Sequence, residues 1–502
     1  MRFFFRKYWK EVIFFSAITT VYVAGVAPDM TYVSQAGDMF WWVPCAQNMW
    51  AAPLGGYPTY IILGWVFERL PFNEFWNLGL LSALAGVGTC IFVYLIVRYL
   101  VGPPSVVSVE KPMGEGMTWS KSELRSLLDK KFARQLAPYI GAATCAGAFI
   151  FWTQSVIPEV YTFTILLAVA MTYFTLTGHY YIAAGVGALS LGTHHLVGFA
   201  LIPILGYIYY KERNGRQLAK VVGIIGLGLL AYLQTYLCHG PWAAPAVANF
   251  RGLGLIGGLP IGMTLDKLKD FVPVMVVSIG TSLALLPFLK RSPEVILIGL
   301  ITVGSAGHYF FSNVSGWTCY LAFPVVFIAI LVGLGVEHFP YKKLVPVFLL
   351  ASLIMVGINF QTYDIGRTID PEPTVFRQAY TQIVNYSQTT GMEPDTLLIT
   401  TLDVESMTNF YLRFDEKTFN HLPIGFIWWK GDNQDNCRAD LLSEGILLPE
   451  DLGPYGENTG WWDHEAFLEE MCRLNPGIAI YFGTSEGTWD DKESSISLIS
   501  DR

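Results

Sequence analysis

Long apolar runs recur along the first 361 residues and then stop. About 17–25 apolar residues, at roughly 1.5 Å of rise each, suffice to cross a hydrocarbon core. Eleven such runs are read: 11–28, 75–97, 136–153, 160–177, 181–196, 197–210, 219–237, 271–289, 294–311, 317–336 and 344–361. The fifth and sixth are short and barely separated. Residues 56–70, GYPTYIILGWVFERL, are also apolar but precede the stronger 75–97 run, and are read as a helix lying in the interface. Beyond 361 the period changes. TVFRQAYTQIVNYSQTT and DHEAFLEEMCRLN read as helices, and TLLIT, IGFIWW and GIAIYFG as short strands. The pattern predicts an α-helical polytopic membrane protein with about 11 transmembrane helices, residues 1–361, and a small C-terminal α/β domain, residues 362–502.

Composition agrees. Of 502 residues 53% are hydrophobic and 14% charged, against about 25% charged in ordinary soluble proteins. A net charge of −8 gives no support to nucleic-acid binding. Charge divides with the hydropathy: residues 1–361 carry +8, while the tail holds 25 acidic against 9 basic residues. Alternating the loops from a cytoplasmic N-terminus puts 19 Lys or Arg inside, many of them in the polar linker 98–135. It puts 4 outside, in the outer loops 29–74 and 238–270. The positive-inside rule therefore predicts N-terminus in the cytoplasm and C-terminal domain extracytoplasmic. The basic start MRFFFRKYWK permits a signal peptide, but Pro28 after the small residues disfavours cleavage. Cys45, Cys437 and Cys472 fall on the outer side, where a Cys437–Cys472 bridge is left open. No CxxC or HExxH metal spacing occurs.

Four places carry candidate chemistry. Asp38 stands in the first outer loop among Phe40, Trp41, Trp42 and Trp50 with no basic neighbour. Partial desolvation there would raise its pKa and suit it to act as a base, the alternative being a solvated Asp in an aromatic belt. In FWTQSVIPEVYTF, Pro158 breaks the helix and Glu159 opens the next, where it either acts chemically or complements the helix dipole. His194 and His195 close the fifth span as an ionisable pair at membrane depth, a functional arrangement or a neutral hydrogen-bonded one. Arg251, beside the glycine-rich GLGLIGGLP of the 238–270 loop, either meets a phosphate or is a solvated loop cation.

These stretches together resemble the GT-C superfamily of polytopic glycosyltransferases. The branch concerned was long catalogued as a domain of unknown function and includes the vertebrate transmembrane protein O-mannosyltransferase. The resemblance rests on Gly37-Asp38, Gly56-Tyr57-Pro58, NLGLLSALAG (77–86), FWTQSVIPEVYTF (151–163), LGTHH (191–195) and LLITTLDVESMTNFYL (397–412). Met39-Phe40-Trp41 and Pro53-Leu54-Gly55 stand where that branch reads Ser-Gly-Glu and His-Pro-Pro. The resemblance implies transfer of a sugar from a polyprenyl-phosphate-linked donor in the membrane lipid to a protein or glycan acceptor on the outer face. It implies catalytic roles for Asp38, as general base, and Glu159, and substrate contacts from Tyr57, Tyr161, His194, His195 and Arg251. No cofactor is implied with certainty, a divalent metal being left open. Two other readings stay open: an inactive relative that binds a partner, and a transporter or flippase of a lipid-linked substrate.

Overall fold

The computed structural model describes residues 2–27, 39–52, 56–102, 121–238, 265–311, 318–362, 396–400, 473, 479–486 and 493–500. The chain forms two compact units, residues 1–28 with 32–370, and residues 371–502 with 29–31. The first is helical: α1 (Arg2–Ala24), α2 (Met39–Asn48), α3 (Pro58–Phe67), α4 (Glu74–Val101), α5 (Lys121–Gly147), α6 (Phe149–Ser155), α7 (Val160–Leu176) and α8 (Tyr180–Leu191) come first. There follow α9 (Gly198–Glu212), α10 (Gly215–Leu227), α11 (Leu233–Leu237), α12 (Leu265–Ile279), α13 (Pro293–Phe311), α14 (Ala322–His338) and α15 (Val345–Thr362).

Helices occupy all eleven expected segments, and the protein is a helical, multi-pass membrane protein. Among the described residues, six helices are long and apolar enough to cross a membrane: 74–101, 215–237, 267–288, 293–310, 318–338 and 342–361. The bent pair α5–α6 makes a seventh if counted as one span. Helices α7 and α8, at 17 and 12 residues, fall short of a roughly 30 Å core at about 1.5 Å per residue. Helix α3 has 10 residues and is likewise too short to span. Several boundaries differ from the sequence reading, two of them in charged stretches. The linker 98–135 is helical from Lys121, where Leu, Lys, Glu, Arg and Ala are strong helix formers. Helix α12 starts at Leu265, so Lys267 and Lys269 lie on a helix and not in the 238–270 loop.

The core is built on α14, whose apolar window is 94% buried, whereas the windows of 215–237 and 342–361 are 28% and 22% buried. The latter two therefore present most of their apolar surface outward, as lipid-facing helices do. Close approach of α1 to α4 needs Gly86: a β-carbon there would stand 2.7 Å from the Tyr22 ring and 2.8 Å from Ser155 Oγ. Small residues serve membrane helix packing in this way.

Breaks in the helices are answered by side chains, as they must be where water is excluded. The 67° bend between α5 and α6 has Asn359 Nδ2 donating to Gly147 O at 2.9 Å and Ile150 N donating to Ser278 Oγ at 3.3 Å. At the α6–α7 break, Ala27 N donates to Val156 O at 2.8 Å and Thr162 Oγ1 to Gln154 O at 2.7 Å. Ser82 Oγ accepts from Glu159 N and donates to Glu159 O, at 3.1 and 3.2 Å.

The three ion pairs among the described residues join Arg98 to Glu11, Arg134 to Glu337, and Lys211 to Glu294. In each pair both partners lie in, or at the first residue beyond, a loop that the alternation assigns to the cytoplasm.

In the second unit the described strands are β1 (Thr396–Thr400), β2 (Ala479–Glu486) and β3 (Glu493–Ser500), in sheet order β1-β2-β3. The first two are parallel, Thr396 opposite Ala479, and β3 returns antiparallel. TLLIT and GIAIYFG thus contribute strands, and β3 is an addition that the serine-rich ESSISLIS did not announce. The expected strand IGFIWW, both expected tail helices apart from the helical Arg473, Cys437 and Cys472 lie outside the described residues.

Candidate functional site

Four of the seven sequence-chosen residues come together: Tyr57, Tyr161, His194 and His195. Helix α8 ends at Leu191, so the two histidines lie in the turn before α9 and do not close a span as expected. Thr59 N donates to Gly192 O at 2.9 Å, docking this turn onto the start of α3. The fit requires glycine, since a β-carbon on Gly192 would stand 2.1 Å from Thr59 Oγ1 and 3.0 Å from Thr59 N.

Tyr57 precedes α3 in a left-handed conformation, φ 45°, next to Gly56 at φ 77°. For a tyrosine that backbone is costly and persists only where its surroundings demand it. Here the ring lies parallel to His194 (10°, centroids 5.8 Å apart), and Trp42 meets it edge-on at 4.9 Å. His194 is buried, and its Nδ1 accepts from Leu196 N at 3.3 Å, which assigns the ring proton to Nε2. The His195 ring lies 4.0 Å from that of His194, and Tyr161 lies 5.0 Å from His194.

Two further residues belong to the cluster that the sequence reading missed. His308 of α13 puts its Nε2 3.2 Å from His195 Nε2. One nitrogen must donate and the other accept, so at least one of these imidazoles is neutral. Tyr320 packs against Tyr161, His194 and His308, at 5.7, 5.9 and 5.2 Å. His308 carried a signal, as a lone ionisable residue in an apolar run; Tyr320 carried none. His195 is exposed and His308 half-buried, so the cluster is reached from the His195 side. Lys267, read as an outer-loop cation, is buried and donates to Tyr309 O at 3.1 Å and Phe310 O at 3.4 Å. A cation is thereby held at the C-terminal end of α13, just past His308.

Glu159 is buried at the N-cap of α7, its Oε2 accepting from Val160 N at 3.1 Å. It stands two residues before Tyr161 and is tied through its backbone to Ser82. Asp38 and Arg251 lie outside the described residues. Among the described residues, no group of three or more His, Cys, Asp or Glu comes together that could hold a metal ion.

Below the Tyr57 turn, Glu68 caps the C-terminus of α3. Burial pushes its carboxyl up to about 8; Glu74 adds to the rise, while a hydrogen bond from Gln47 and the charge of Arg69 oppose it. The folded protein then holds this proton between the ordinary carboxylate range and pH 8, where the unfolded chain has released it. Stability from this group is present at low pH and lost as pH rises through about 8. Thermal unfolding in detergent should show a Tm that falls from pH 5 to pH 9, with a shallower fall in Glu68→Gln. Equal slopes would remove Glu68 as the cause.

The class of protein follows from the fold: a polytopic helical membrane protein similar to ArnT. The crystal structure of ArnT from Cupriavidus metallidurans in the apo state matches with a TM-score of 0.58 at 12% identity, over 96% of this chain and 93% of that one. The same protein bound to undecaprenyl phosphate matches with a TM-score of 0.56 at 12% identity, over 95% and 93%. Within the chain, residues 43–218 match the family described as the Protein O-mannosyl-transferase TMEM260 N-terminal domain. The resemblance to the O-mannosyltransferase branch is thus found again over residues 43–218. The matched segment holds Tyr57, Glu159, Tyr161, His194 and His195. No curated protein sequence matches the chain.

Proposed function

We propose that the protein is a membrane glycosyltransferase moving a sugar from a polyprenyl-phosphate-linked donor to a protein or glycan acceptor on the extracytoplasmic face. The observation that carries this reading is the convergence of Tyr57, Tyr161, His194 and His195. They come from three separate motifs of the resemblance, distant from one another along the chain. One of the two similar ArnT structures is bound to undecaprenyl phosphate, which supports a polyprenyl phosphate as the carrier here. The topology that goes with the reading has eleven membrane passages, the N-terminus in the cytoplasm and the tail domain outside.

The chemistry is an in-line displacement. The acceptor hydroxyl oxygen attacks the anomeric carbon, the bond from that carbon to the phosphate oxygen breaks, and its electron pair leaves with the polyprenyl phosphate. Asp38 takes the hydroxyl proton as general base. Asp38 immediately precedes α2, whose Trp42 packs on Tyr57. Positive or hydrogen-bond-donating groups stabilise the departing phosphate; His194 Nε2–H, the His195–His308 pair and Arg251 are assigned to this, with Glu159 in a supporting acidic role. Tyr57 and Tyr161 give the sugar apolar ring faces.

The test is release of polyprenyl phosphate by the purified protein in nanodiscs, offered a panel of polyprenyl-phosphate sugars with peptide and glycan acceptors. Acceptor-dependent release from one donor is expected. Donor binding without release across the panel would favour an inactive relative. That alternative draws on the Met39-Phe40-Trp41 and Pro53-Leu54-Gly55 replacements. Movement of an intact donor across a sealed bilayer would favour a flippase.

A further inference from the structure

At the helix ends joined by the Arg134–Glu337 ion pair lies a cleft of about 870 Å³, lined by Asp129, Lys130, Glu337 and the run 338–344, HFPYKKL. It is remote in sequence from every motif of the resemblance. We propose that this cleft binds the headgroup of an anionic phospholipid, in the leaflet that the charge count assigns to the cytoplasm.

The charges favour an anion. Lys130, Lys342 and Lys343 face Asp129 and Glu337, and the Glu337 carboxylate is already answered by Arg134. Lys342 Nζ donates to Val336 O and Glu337 O, at 3.0 and 2.6 Å, which closes the C-terminus of α14 and holds one ammonium in the lining. Lys130 and Lys343 are exposed and free to meet a phosphate. The turn that carries Lys343 is anchored by buried Phe339, which packs on Phe288 and Phe348 at 5.2 and 5.4 Å.

The apolar neighbours favour a lipid over a free anion. Leu128 and Phe132, four apart on α5, are 58% and 49% exposed; Tyr341 and Leu344, on the other wall, are 66% and 50% exposed. A soluble phosphate would use the lysines alone. A phospholipid uses both sets, with its phosphate among the ammonium groups and its chains along the exposed apolar side chains of a membrane-spanning bundle.

Titration of the detergent-solubilised protein with phosphatidylglycerol should raise Tm saturably, and phosphatidylcholine should not. In Lys130→Gln/Lys343→Gln the midpoint of that titration should move to about thirtyfold higher lipid, from the worth of two basic residues near anionic headgroups. Lys130→Arg/Lys343→Arg should behave as wild type. Both lysines are exposed, so folding is retained and can be checked by the lipid-free Tm. Equal response to the two lipids, or a wild-type midpoint in the glutamine variant, would overturn the proposal. So would reproduction of the shift by inorganic phosphate at the same concentration, which would make this a site for a free anion.

Discussion

Asp38→Asn is expected to lower sugar transfer by about 10²- to 10⁴-fold, the usual contribution of a positioned general base. The amide is nearly isosteric with the carboxylate but cannot take the acceptor hydroxyl proton. The loss should therefore appear in kcat, with donor binding little changed and with Tm equal to wild type. Single-turnover release of polyprenyl phosphate, measured beside equilibrium binding of the donor, separates the two. Equal release from variant and wild type would leave a transferase standing without Asp38 as its base. Loss of donor binding with unchanged kcat would make Asp38 a binding residue.

Gly192→Val carries the second large effect, and it tests the cluster through packing rather than through chemistry. A β-carbon at 192 meets Thr59 at both its hydroxyl and its backbone nitrogen, so the turn must withdraw from α3. Overpacking of this kind costs about 1–3 kcal/mol, and here the displaced turn carries His194 away from the Tyr57 ring. Transfer should fall at least about tenfold with a lowered Tm, since a shift of roughly 1 Å at a site suffices for a large loss. Gly198→Ala, six residues on, meets nothing within 4 Å and should leave both quantities near wild type. Wild-type activity and Tm in Gly192→Val would show that docking of this turn onto α3 does not position the site.

Asp38 and Gly192 differ in how they could be found. A carboxylate among tryptophans, with no basic residue nearby, announces itself in the chain. Gly192 does not, because its need for a missing β-carbon exists only once Thr59 lies against it.

The helical segments were legible because lipid and a helix-packed interior impose the same demand on every passage, an apolar run without charges. That demand is local, and helices duly occupy all eleven segments. Their ends were less legible. Helix α5 begins at Lys121, fifteen residues before the apolar run at 136, in polar sequence where propensity rather than hydropathy sustains it. Helix α8 stops before His194 because the turn is held from outside, by Thr59. Among the described residues the count that satisfies length and apolarity is six or seven, fewer than eleven, since short helices such as α7 and α8 draw their stability from neighbours instead of from their own reach.

At the candidate site, motif residues near one another in kind could be chosen from the chain: Tyr57, Tyr161, His194 and His195. What the chain alone could not supply was their common location, or the partners His308 and Tyr320 brought from more than a hundred residues away. Sequence determined the membrane class, the charge asymmetry and the residue types available for chemistry, because each follows from side-chain transfer between water and lipid. Tertiary structure decided which imidazole shares a proton with which, which lysine is buried, and where a glycine is obligatory. Those are properties of distances between segments, and no local pattern encodes them.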